Sequence, residues 1–116
     1  MSAPLPDPGA AVYSAAKMTK YLEDGSAVIA LAGDYDLANT ASIHAAILRA
    51  LNSGVLSIAV DLGGVTFIEA TGVSALLRGR DACAAARVPL KLINPSAIAL
   101  RVLELAGVRD LLPLRG

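Results

Sequence analysis

Val60-Asp61-Leu62-Gly63-Gly64-Val65-Thr66-Phe67-Ile68-Glu69-Ala70-Thr71-Gly72-Val73-Ser74-Ala75-Leu76-Leu77 reads as an apolar strand running through a glycine turn and an acidic-hydroxyl corner into a helix. The corner sets Thr71 at a helix N-terminus, facing outward. A hydroxyl there is open to three readings: an ordinary cap, a nucleophile, or a phosphate acceptor.

Upstream, Val55 to Leu62 is dense in apolar and β-branched residues, bounded by glycines. It reads as a central strand buried on both faces, which calls for a parallel partner and helical crossovers. Before it, Asp34-Tyr35-Asp36 leads to Asn39 as N-cap of a first helix. Ile43, Ile47 and Leu51 recur there at helical spacing until Asn52-Ser53-Gly54 stops the pattern. Earlier still, Ala16 to Leu22, the turn residues Glu23-Asp24-Gly25-Ser26, and Ala27 to Ala32 form an opening hairpin.

At 100° per residue, Val73, Leu76, Leu77, Cys83 and Ala84 share one side of the helix that follows the corner. Ser74, Ala75, Arg78, Asp81 and Ala82 share the side of Thr71, a face ready for a partner. Arg80 falls in the apolar stripe, so its stem packs while its guanidinium reaches out. Downstream, Pro89 to Ile93 is a strand, Ser96 caps a helix from Ala97 to Ala106, and Gly107 ends it with Val108 as the apolar contact. Leu111 to Leu114 supplies a last strand.

The order β-β-α-β-α-β-α-β predicts an α/β fold. A small mixed sheet of four to five strands packs against three helices through right-handed crossovers. Residues 16–116 form one domain, preceded by a flexible leader, residues 1–15, marked by Pro4, Pro6, Pro8 and Gly9.

With 116 residues, the chain has room for one core. Ten basic and ten acidic side chains cancel, which disfavours nucleic acid as a partner. Hydrophobic residues make up 55% and aromatics 3%, so the core is aliphatic and an apolar patch is left for a partner, a homodimer among the options. Neither a transmembrane helix nor a signal peptide is seen, and a cytoplasmic location follows. Cys83 stands alone and His44 is the only histidine, so neither a cysteine-based metal set nor a histidine zinc site is expected. Asp34, Asp36 and Glu69 read as solvated or capping carboxylates rather than a metal site. His44 reads as a half-exposed helix residue, which leaves a hydrolase built on Thr71 without its base.

Together, Gly33-Asp34-Tyr35-Asp36, the Val60-Asp61-Leu62 strand with Val65-Thr66-Phe67-Ile68, Glu69-Ala70-Thr71-Gly72, and Leu103-Glu104-Leu105-Ala106-Gly107 resemble a STAS domain of the bacterial anti-sigma factor antagonist family. The resemblance covers residues 16 to 114. It implies that Thr71 is the phosphoacceptor, with Glu69 where Asp is common, Ala70 where Ser is common, and Asp36 at an acidic position near the acceptor loop. Asp36, Glu69, Ala70, Gly72, Ser74 and Arg78 are then the partner-binding residues.

The resemblance further implies a serine/threonine kinase anti-sigma factor as partner and a PP2C-type phosphatase that resets the switch. ATP and Mg belong to the kinase; the chain itself has no GxxxxGK loop, takes no cofactor and is not an enzyme. The family ends in a fourth helix, whereas this chain has Pro113-Leu114-Arg115-Gly116 there. Either that helix is dispensable or another subunit covers the surface. The alternative function is a non-switching STAS scaffold in a stress-signalling assembly, or an accessory subunit of a lipid ABC transporter, with Thr71 as cap or docking contact.

Overall fold

In β2 (Ser26–Tyr35), Ala27, Ile29 and Leu31 are buried while Val28, Ala30 and Ala32 are only partly covered. This alternation marks a strand with one face on the core. The computed structural model describes residues 16–109 and 114–115. Within it, β1 (Ala16–Tyr21) pairs antiparallel with β2, and β3 (Ser57–Ile68) pairs parallel on its other side. Two further parallel strands, β4 (Leu90–Ile93) and β5 (Leu114–Arg115), extend the sheet. The spatial order is β1-β2-β3-β4-β5, the same as the chain order.

Three helices make the crossovers: α1 (Ala41–Asn52), α2 (Ala70–Ala85) and α3 (Ala97–Leu105). Each parallel connection steps the same way across the sheet, so right-handed crossovers set all three helices on one face. Between that face and the helices lies one aliphatic core that includes Ile29, Leu31, Ile43, Ile47, Ile58, Val60, Leu62, Leu76 and Leu92. Tyr35 is the one buried aromatic among the described residues. The α/β class, element order and three helices match the expectation from sequence. The leader 1–15 and positions 111–113 of the expected last strand lie outside the described residues.

The central strand differs from its reading. β3 does not turn at Gly63-Gly64 but continues to Ile68. Ala30 pairs with Asp61 and Ala32 with Gly64, then Gly33 with Val65 and Asp34 with Phe67, so β3 carries one extra residue at each of two bulges. Its buried positions on the helix side accordingly run Ile58, Val60, Leu62 and then Val65 and Ile68, with Ala59 buried on the opposite face. A bulge flips the alternation and bends the strand without ending it. Gly64 fits because a Cβ there would lie 2.8 Å from the Ala32 Cβ and 3.0 Å from the Leu31 carbonyl oxygen. On the side away from the helices β3 is covered only in part: Ala59 is buried there and Asp61 is half-buried.

α1 is capped differently as well. Its N-cap is Thr40, with no side-chain cap bond. Asn39 instead ties the preceding turn, with Oδ1 accepting the Asp36 amide at 2.8 Å and Nδ2 donating to the Asp34 carbonyl at 2.9 Å. α3 is as expected. Ser96 Oγ accepts the Ala99 amide at 3.2 Å, the Gly107 amide bonds to the Glu104 carbonyl, and the Val108 amide reaches the Leu103 carbonyl with Val108 buried. That is a Schellman end with its apolar contact.

Candidate functional site

The C-terminal ends of β2 and β3 and the start of α2 meet in one corner, the place where open parallel sheets build sites. The Glu69 amide donates to the Tyr35 carbonyl at 2.9 Å, which pins the β3–α2 junction against the end of β2. Thr66 Oγ1 donates to Asp34 Oδ1 across the same two strands. Asp36, next along the chain from Tyr35, is therefore brought to the acceptor corner; its carboxylate is exposed and caps the Ala38 amide at 2.9 Å.

Glu69 is the N-cap of α2, with extended backbone (φ −84, ψ 170) and no side-chain cap bond. Its carbonyl accepts the Gly72 amide at 2.9 Å and the Val73 amide at 3.3 Å. Ala70 and Thr71 are thus the first two helical residues, and their amides have no partner among the described residues. Unpaired amides at the positive end of a helix are suited to an anion.

Thr71 itself corrects the sequence reading. The residue is half-buried, but its Oγ1 is enclosed and has no hydrogen-bond partner. The hydroxyl points inward rather than outward. The cause lies in the helix face: Gly72, Val73, Ala75, Leu76, Gly79 and Cys83 are the buried positions of α2, so Ala75, one turn beyond Thr71, belongs to the core and not to a partner face. Ala84, expected inside, is exposed. Small residues draw this helix close to its neighbours. A Cβ on Gly72 would sit 2.5 Å from Ile68 Cγ1 and 3.4 Å from Thr40 Cγ2, and one on Gly79 would run into Ile47 Cδ1. Gly72, grouped from sequence with the partner-facing residues, is buried and serves that close approach.

Ser74 and Arg78 are exposed on α2, Ala70 is exposed at its first turn, and Glu69 is half-exposed, so these reach a common surface beside Thr71. Leu37, 76% exposed in the β2–α1 turn, and Phe67, 43% exposed at the end of β3, flank the corner and were missed. Phe67 carried a signal: it is the single phenylalanine of a chain in which aromatics make up only 3%. Arg80 is half-buried, as its place in the stripe suggested, and its guanidinium pairs with Asp81 at 2.7 Å. Burial pushes the Cys83 thiol up to about 11, which leaves it neutral and inert. His44 is half-buried on α1. No group of three His, Cys, Asp or Glu among the described residues could hold a metal ion, and no helix among them is long and apolar enough to cross a membrane.

A family model described as Mlab, STAS domain matches residues 18–113. The chain belongs to this STAS family. The STAS fold seen here is shared with the anti-sigma factor antagonist SpoIIAA in its unphosphorylated form, at 23% identity over 85% of this chain and 87% of that one, with a TM-score of 0.72. Phosphorylated SpoIIAA from Bacillus is 23% identical over 85% of this chain and 90% of its own, with a TM-score of 0.66. An anti-sigma factor antagonist from Mycobacterium paratuberculosis is 20% identical over 96% and 90%, with a TM-score of 0.71. These likenesses are of fold. A search of curated proteins gave no match.

Proposed function

We propose that this STAS protein is an anti-sigma factor antagonist, a non-enzymatic binding switch controlled by phosphorylation of Thr71. Unmodified, it engages a serine/threonine kinase anti-sigma factor and so frees a sigma factor. The kinase, which brings its own ATP and Mg, transfers a phosphoryl group to Thr71 and is released, and a PP2C-type phosphatase resets the switch. The observation that carries this reading is an unbonded Thr71 hydroxyl at the second residue of α2, beside the unpaired Ala70 and Thr71 amides.

A hydroxyl without a hydrogen bond loses none when it moves. Rotation of χ1 by about 120° between staggered wells turns Oγ1 outward. Threonine in a helix divides between two such wells more evenly than valine or isoleucine. The phosphate that results is received by the two free amides, so the domain stays folded while its surface gains about 1.5 to 2 negative charges. A partner moves from mostly bound to mostly free when binding weakens by about 5 kcal/mol, a range that like-charge contact and desolvation together reach. Leu37 and Phe67 serve as apolar anchors around the corner, with Asp36, Glu69, Ala70, Ser74 and Arg78 as the polar rim.

The test is incubation with the cognate kinase and ATP, followed by mass spectrometry and a binding assay. One phosphate on Thr71 with loss of the complex supports the reading; stable binding without modification refutes it. The second reading, a non-switching STAS scaffold or accessory subunit of a lipid ABC transporter, is favoured by the inward hydroxyl as it stands. It predicts a complex indifferent to kinase, phosphatase and ATP.

A further inference from the structure

All three helices lie on one side of the sheet, and among the described residues nothing comparable covers the other. The strand registers order that free face into two rows. Met18, Ala30, Asp61 and Ile93 are paired across β1, β2, β3 and β4 in one, and Lys20, Val28, Ala59 and Lys91 in the other. Paired residues share a face, so each row is a line of side chains across four strands. The surface is mostly aliphatic and small, with Met18 69% exposed and Val28, Ala30 and Ile93 partly open. Met18, Lys20, Leu22, Val28, Ala30 and Asp61 line a shallow depression of about 370 Å³ on it.

The charges are sorted by row. Asp61 is the one acid in the first, and Lys20 and Lys91 are the bases in the second, while no ion pair within the protomer joins Asp61 to either lysine. We infer that this free sheet face is a homodimer interface, in which a two-fold axis running across the strands exchanges the rows, so that Asp61 lies over the partner's Ala59 with the partner's Lys91 one strand aside, about 5 Å away laterally and within reach of its long side chain. A two-fold interface must be complementary to itself, and this face is so only under that exchange. An axis running along the strands would instead lay Lys20 over the partner's Lys91. In the row-exchanged pair Ala30 meets the partner's Val28, and the small Ala59 leaves room for the partner's Asp61, at the distance of face-to-face sheets, about 10 Å. Four strands of about five residues bury on the order of 500 Å² per protomer, at the weak end of specific interfaces, so the dimer is a weak one. The face is separate from the Thr71 corner.

Sedimentation equilibrium of the full chain and its variants tests the inference. The wild type should dimerise at concentrations on the order of 100 µM. Asp61→Lys and Lys91→Asp should each weaken the dimer about tenfold, and the double variant should restore it to within about threefold. Asp61 also accepts the Gly63 amide at 2.8 Å, so a second pair keeps the test independent of that bond. Row exchange brings the exposed Met18 against the partner's Lys20, so Met18→Lys should weaken the dimer about threefold and Met18→Glu should tighten it by a similar factor. A full chain that stays monomeric, or a dimer in which Met18→Lys and Met18→Glu behave alike, overturns the inference.

Discussion

α3 opens on Ser96, whose hydroxyl holds the Ala99 amide, and closes on Gly107 with the Val108 amide bonded back to Leu103. α2 opens on Glu69, which makes no side-chain cap bond, and two residues on it encloses a Thr71 hydroxyl with no partner at all. Both helices thus start beside a hydroxyl, yet only one uses it to stabilise the fold. α2 is held instead by close approach, through Gly72 on Ile68 and Gly79 on Ile47. Its hydroxyl contributes nothing to its own terminus and is free to be used for something else.

The contrast is most sharply broken by adding charge. Thr71→Glu should lower affinity for the kinase partner proposed above by more than about 100-fold, on the order of 3 kcal/mol, in a titration by calorimetry. Ser96→Asp, which keeps a good cap, should leave that affinity unchanged. Equal losses in the two variants would mean that general destabilisation is being read.

Next in size is the close approach itself. Gly72→Ala and Gly79→Ala should each cost about 1 to 3 kcal/mol in urea unfolding, because the added methyl meets a branched side chain in a filled core. A neutral result would show that α2 can stand off from its neighbours. Ser96→Ala should cost about 1 kcal/mol, a fall in Tm of about 4 to 8 °C.

Thr71→Val runs the other way. It replaces an enclosed hydroxyl without a partner by a methyl of the same shape, so the melting temperature should hold steady or rise, by up to about 1 kcal/mol in stability. A loss comparable to that of Ser96→Ala would reveal a hydrogen bond that the geometry lacks. Least in effect, Cys83 on the covered face of α2 should resist alkylation at pH 8 in the folded protein and react on unfolding, since the native thiol is held neutral until about pH 11.

The element order and the caps of α3 were legible because each rests on local chemistry. Ser96 and Gly107 with Val108 act within four residues of themselves, and a sequence displays such bonds directly. The bulges of β3 were not, because Gly63-Gly64 has the composition of a turn, and only the partner strand, with Ala32 lying close over Gly64, decides that the strand continues. Asn39 likewise had the chemistry of a cap but was drawn to the Asp34 carbonyl and the Asp36 amide. At the corner, the neighbours of Thr71 were readable and its rotamer was not. A helical projection centred on large apolar residues placed Ala75 outside, whereas the contact with α1 is made by small ones, and that shift of the buried face turned the hydroxyl inward.

A sheet whose strands lie side by side in the order in which they are synthesised never has to part an existing pair to admit a later one. Each strand can add to the free edge left by its predecessor as the chain emerges from the ribosome, β2 through a short hairpin turn and each later strand by closing a loop only one helix long. Such short closures keep the entropic barrier low and the refolding fast for a parallel sheet. Pulse-labelled hydrogen exchange should then find the β2 and β3 amides protected no later than those of β4.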